Sequence, residues 1–125
     1  MLHIHQIKYT YDEYHSTDPA TQLVVKMKQK AKQDLEAFRR DDIEVTDFHR
    51  AALKLVARVD AETPEEAFHI MNRWADEDEA KVVRINPLHS LSMGDVVVDH
   101  DNHEAWLCRS VGWQQIDWDF SFEVA

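Results

Sequence analysis

Only two glycines, Gly94 and Gly112, occur in 125 residues, and both lie in the last third of the chain. Glycine takes positive φ without steric cost, so tight reversals at strand boundaries are expected at these two points. The same scarcity excludes phosphate-loop and dinucleotide motifs, because two glycines so far apart build neither loop. A chain of this length fits one domain and encloses a hydrophobic core without staples. The single cysteine, Cys108, permits no internal disulfide and points to a reducing compartment. The amino end lacks the basic and apolar regions of a signal peptide, and no apolar run is long enough to span a bilayer. The expectation is a cytoplasmic protein.

Local patterns give the elements. Residues 2–10 carry β-branched and aromatic residues in partial alternation and predict a strand, with Ile4 and Ile7 on opposite faces. Asp18-Pro19 is a helix start, a carboxylate cap followed by a proline pre-set for the first turn. Leu23, Val24, Met27, Ala31, Leu35 and Phe38 follow at helical spacing, so a long helix with that apolar stripe is predicted over 19–40. Residues 41–50 read as irregular or as a short helical turn. Leu53, Leu55, Ala57 and Val59 alternate with Lys54, Val56, Arg58 and Asp60, which predicts a second strand. Thr63-Pro64-Glu65-Glu66 forms a capping box for a helix running to about Asp76, with Ala67, Phe68, Ile70, Met71 and Trp74 facing the core. An acidic loop over 76–79 precedes a short strand or connector at 82–85.

The last third is the most sharply patterned. Val96-Val97-Val98 reads as a strand, Asp99-His100-Asp101-Asn102 as a turn, and residues 105–109 as the returning partner. Ile116, Trp118, Phe120, Phe122 and Val124 then alternate with Asp117, Asp119, Ser121 and Glu123, predicting a terminal strand with one aromatic and one acidic face. Those aromatics either close the core or form an exposed edge covered by a partner, which includes a second copy of the chain pairing edge to edge. The fold class expected is α+β, one domain over 1–125 of order β-α-β-α-β-β-β, with two helices on one face of a mainly antiparallel sheet.

The stretch His89-Ser90-Leu91-Ser92-Met93-Gly94-Asp95-Val96-Val97-Val98, with Ala105-Trp106-Leu107-Cys108 and Ser110-Val111-Gly112-Trp113, resembles the closing motif of YodL-like domains, a serine-rich turn and strand, a second aromatic strand and a Gly-aromatic end. Upstream, residues 55–61 and Glu65-Glu66-Ala67-Phe68 with Asn72 are similar to that family's strand and helix. The resemblance covers about 53–116 and leaves 117–125 as a separate aromatic strand. It implies a setting in bacteriophages, plasmids or conjugative elements, and it carries over no reaction and no catalytic residue. Physically the motif needs only structure: Ser90 and Ser92 bond nearby backbone and Gly94-Asp95 turns the chain. Ser92 next to His89 is not a nucleophilic triad, since sequence neighbours do not supply its geometry.

Charge limits the function classes. The net charge is −10, which opposes general binding to phosphate backbones. Residues 26–40 hold Lys26, Lys28, Lys30, Lys32, Arg39 and Arg40 against Asp34 and Glu36, so the rest of the chain has 22 acids and 8 bases. The lysines spread around the helix and form no ridge for a groove. Eight histidines raise metal chemistry: His3 and His5 share a strand face, and His100 with His103 crowd one turn. His100 and His103 are the weak metal candidates; neither an HExxH helix nor a cysteine pair accompanies the histidines. No cofactor is expected. The reading that follows is a small non-enzymatic accessory protein that binds a host bacterial protein of replication, transcription or defence, without membrane attachment. Its contact residues are expected to be Trp113, Asp117, Trp118, Asp119, Phe120 and Phe122. The alternatives are a metal-assisted hydrolase or nuclease using the histidines, and a nucleic-acid-binding module using residues 26–40.

Overall fold

The structure is a computed structural model that describes residues 1–73 and 75–121. The chain runs β1 (Leu2–Gln6), α1 (Tyr11–Tyr14), α2 (Pro19–Leu35), α3 (Asp47–Ala52), β2 (Lys54–Val59), α4 (Pro64–Arg73), a 3₁₀ helix (Asp76–Lys81), β3 (Val82–Arg84), β4 (Val96–Asp99), β5 (Glu104–Cys108) and β6 (Trp113–Ile116). The six strands form one antiparallel sheet in the order β3-β2-β1-β4-β5-β6, so the α+β class holds. The first strand in sequence is central in space. β1 pairs with β2 on one side and β4 on the other, with a bulge between Ile4 and His5 on the β2 side.

The alternation of β4 shows how the layers stack. Val97 joins Ile4, Val59, Ala67, Ile70 and Met71 in one buried cluster, whereas Val96 and Val98 join Ala31, Leu35, Ala105 and Leu107 in another. Successive residues of a strand point to opposite faces. Helix α4 therefore covers one face and the end of α2 covers the other, a correction to the expectation that both helices share a face. Periodicity assigns each helix an apolar stripe but not a side of the sheet.

Helix starts follow the sequence closely. Asp18 caps α2 by accepting from the Thr21 amide at 3.1 Å, and Thr63 accepts from the Glu66 amide at 3.2 Å. The end of α2 differs. It stops at Leu35 rather than continuing to residue 40, and Phe38 is 84% exposed. The Arg109 guanidinium takes the carbonyls of Arg39 and Asp41 at 2.9 and 3.1 Å, holding this stretch against the β5–β6 turn instead of in a helix. Of the expected stripe only Ala31 and Leu35 are buried; Leu23, Val24 and Met27 are exposed and Val25 is buried in their place. The amino-terminal half of α2 packs beside α1, where Lys28 donates to the Lys8 carbonyl at 2.9 Å. That neighbour selects a different side of the helix from the sheet.

The strand ladder at the carboxyl end is also shorter than expected. β6 covers only Trp113–Ile116, and its pairing ends with Ala105 opposite Ile116. One further pair in that register would set Asp117 against Glu104, two carboxylates directly across a ladder. Arg50 instead donates to the Asp117 carbonyl at 3.3 Å. Trp118 and Phe120 still turn inward and pack against the α2-side cluster, while Asp117 and Asp119 face solvent. The expected positions of Phe122 and Val124 in a strand, and of Trp74 in the α4 stripe, lie outside the described residues.

The node between β1 and the loop before β4 is polar. Gln6 is fully buried, and its amide donates to the His89 carbonyl at 3.0 Å and to the Asp95 carboxylate at 2.9 Å, while its Oε1 accepts from the His89 amide at 3.2 Å. Asp95 also accepts from the Ser92 amide at 2.9 Å. Gly94, at φ +93°, completes the turn; a Cβ there would come within 2.7 Å of Glu36 Cγ at the end of α2. Substituting Gln6→Leu removes the donor facing a buried carboxylate, and a loss of about 3 kcal/mol is expected in chemical denaturation. A loss below about 1 kcal/mol would show that the node is dispensable.

Candidate functional site

The β5–β6 turn and the carboxyl-terminal segment each border a cavity. The first is a groove of about 610 Å³ between residues 38–42 and the turn after β5. Its walls carry Phe38, Arg39, Arg40, Arg109, Val111 and Trp113. Gln114 builds one side: its amide oxygen accepts from the Ile43 amide at 2.9 Å and its nitrogen donates to the Ile43 carbonyl at 2.8 Å. A side chain thus stands in for a ladder partner and holds the 39–43 stretch beside the sheet. Arg109 holds the other end of that stretch and also donates to Gln114 at 2.5 Å.

The groove is apolar at its rim and cationic along its wall. Phe38 is 84% and Val111 90% exposed, values unusual for large hydrophobic side chains. Among the described residues, the partners of Arg109 are neutral oxygens, and no ion pair involves Arg39, Arg40 or Arg109. Asp42 is the acidic residue lining the groove. Trp113 also lines a neighbouring cavity of about 310 Å³, where the Phe68 ring meets it edge-on at 6.4 Å. Cys108 lines that cavity too, but burial, with Asp95 nearby, pushes its thiol up to about 11, so it is a poor nucleophile near neutrality.

The second cavity, about 270 Å³, is lined by His3, His5, Arg50, Leu53, Leu55, His100, Trp118 and Asp119. The two histidine groups marked in the sequence meet here: the His3 and His100 rings lie 4.5 Å apart. His103, the one non-glycine residue with positive φ among those described, at 53°, stacks on Phe120. Burial, with His3 and His100 nearby, lowers His5 to about 3. His3 is lowered too, first by burial and then by His100, Arg58 and the amino terminus, with Asp101 opposing. Among the described residues no group of three or more His, Cys, Asp or Glu is arranged to hold a metal ion.

The expected contact residues are therefore divided. Trp113 lines the groove, whereas Trp118 and Asp119 line the histidine cavity, Phe120 packs on its rings and Asp117 is exposed beside it. Phe122 lies outside the described residues. Arg39 and Arg40 belong to the basic stretch 26–40 expected as the alternative nucleic-acid surface, whereas Phe38, Arg109 and Val111 carry no local signature of a site; the tertiary contact of Arg109 with residues 39 and 41 brings them to one groove. On α2, Lys28, Lys30 and Lys32 approach Glu13, Asp34 and Glu36 at 3.7, 2.8 and 3.8 Å, which leaves that helix with little free positive charge. No helix among the described residues is long and apolar enough to cross a membrane. No family model, no curated protein and no solved structure matches the chain.

Substituting Arg109→Met deletes the bonds to the carbonyls of residues 39 and 41 while keeping the stem. The expected cost is about 1–2 kcal/mol, together with faster amide exchange over residues 37–43. Unchanged exchange there would show that Arg109 does not shape the groove.

Proposed function

We propose that this chain is a small non-enzymatic binding protein that captures an acidic segment of a partner protein in the groove between residues 38–42 and the β5–β6 turn. One observation carries the reading: Phe38 and Val111 stand exposed on the rim of a cleft walled by Arg39, Arg40 and Arg109, in a chain whose net charge is −10. A concentration of arginine in an acidic surface attracts carboxylates locally, while the rest of the surface repels them, so an acidic segment is directed to the groove. Apolar rim residues supply what charge alone does not, a surface that loses water on contact and slows dissociation. The preferred ligand is an extended peptide segment rich in Asp or Glu with one aromatic or long aliphatic anchor.

The resemblance of residues 53–116 to YodL-like domains supports a host bacterial protein as the partner and a phage or mobile element as the setting. A nucleic-acid partner is disfavoured by the overall charge and by the paired lysines of α2. A basic partner held by Asp117 and Asp119 is the competing arrangement; Asp119 lines the smaller histidine cavity and Asp117 is exposed beside it, so neither borders the larger groove.

Selection from a random displayed-peptide library against the immobilised chain separates these readings. Enriched sequences are expected to be acidic with a recurrent apolar anchor, to bind more tightly at low salt, and to weaken by about tenfold or more against Arg39→Glu, Arg40→Glu or Val111→Ser. Enrichment of basic peptides, or binding indifferent to these substitutions, would refute the groove as the contact site.

A further inference from the structure

The segment that leaves β6 crosses the histidine cavity and is attached mainly through rings. Trp118 lies 4.9 Å from the His5 ring, while Phe120 stacks on His103 at 5.0 Å and meets His100 edge-on at 5.7 Å. Beneath it, Nδ1 of His3, Nε2 of His5 and Nδ1 of His100 are enclosed without a hydrogen-bond partner. Closing the segment therefore buries apolar area and at the same time keeps water from three imidazole nitrogens that would otherwise be hydrated. The strand ladder has already ended at Ile116, and Arg50 grips the Asp117 carbonyl at 3.3 Å.

We infer that residues 117–121 are an acid-released strap: they lie closed over neutral imidazoles near neutral pH, and protonation of the histidine cluster lifts them and uncovers the apolar surface at Leu53 and Leu55. The groups facing the cluster come from every neighbouring element. β1 brings His3 and His5, β2 brings Arg58 opposite His3, and the β4–β5 turn brings His100, Asp101 and His103. α3 brings Arg50, itself bound to Asp47 at 2.8 Å, the amino terminus lies 4.0 Å from Asp101, and the strap brings Asp117 and Asp119. Asp119 already accepts from the amide and hydroxyl of Ser121. New protons on the imidazoles thus meet one another, two arginines and an amino group, with Asp101 as the opposing charge on His3 and Asp119 of the strap as the carboxylate lining the cavity.

The sign follows from linkage. His5 is held down to about 3 with the strap closed, and returns towards the ordinary histidine value when hydrated. Opening takes up protons, so it is favoured as pH falls from the open-state value, about 6.5, towards about 3, and is not promoted above neutrality. From pH 7 to pH 5, His5 alone raises the opening constant by about 25-fold, and His3 adds in the same direction.

The enclosed Nε2 of His5 reads this opening even when it is rare. In the full chain, the rate at which an imidazole-selective acylating reagent modifies His5, taken relative to free imidazole at the same pH, is expected to rise by about 25-fold between pH 7 and pH 5 while the amides of β1 and β4 keep their protection from exchange. Trp118→Ala brings that rate towards the free value already at pH 7. Should that variant fail to fold, direct titration of the His5 ring in the unmodified chain decides the question. Several results would overturn the strap: a His5 ring modified at the free rate at pH 7, a relative rate that does not change with pH, loss of sheet protection together with the change at His5, a rate unaffected by Trp118→Ala, or a His5 ring titrating near about 6.5.

Discussion

The buried side-chain amide of Gln6 is the contact on which the arrangement of this chain depends. Gln6 and Asp95 are both buried, so the bond between the amide and the carboxylate satisfies polar groups that water does not reach, and His89 and Ser92 supply their further partners. By bonding His89 through both its donor and its acceptor, Gln6 ties the central strand to the loop that delivers β4. β1 then has β2 on one side and β4 on the other, and the remaining strands follow outward. Asp95 fixes the turn at Ser92 and Gly94, and the Glu36 side chain at the end of α2 lies over Gly94, whose positive φ favours glycine. The stretch from His89 to Val98 thus has an architectural explanation in this chain.

From that frame the two faces acquire different roles. The α4 side is filled by Ala67, Ile70 and Met71 against Ile4 and Val97. The α2 side is covered in part by Ala31 and Leu35, and in part by the segment after β6, which brings Trp118 and Phe120 onto histidines. The groove lies where α2 has ended and Arg109 has captured the chain that follows. Its charge and its apolar rim are consequences of that ending, since residues 38–40 in a continued helix would not be held against the β5–β6 turn.

What was legible in the sequence was local. Asp18-Pro19, Thr63-Pro64 with Glu66, the Asp99–Asn102 turn and the two glycines all mark element boundaries because each satisfies backbone groups within a few residues. The side of the sheet taken by each helix, the early end of α2 and the short terminal ladder depend on contacts between residues far apart in sequence. Glu104 facing Asp117, and Arg109 facing Arg39, have no local signature. The site was legible to the same extent. Trp113 after Gly112 was visible as a turn aromatic, whereas the meeting of His3 with His100 needed the register that sets His3 opposite Val98, just before the turn.

The central claim is that the chain binds through the cleft at the β5–β6 turn. Amide hydrogen exchange of the full chain, measured with and without a saturating acidic peptide carrying one aromatic residue, tests it most directly. The account predicts added protection over residues 38–43 and 109–114, with residues 117–121 unchanged at pH 7. Protection confined to residues 117–121, or to the lysine-bearing face of α2, would contradict it.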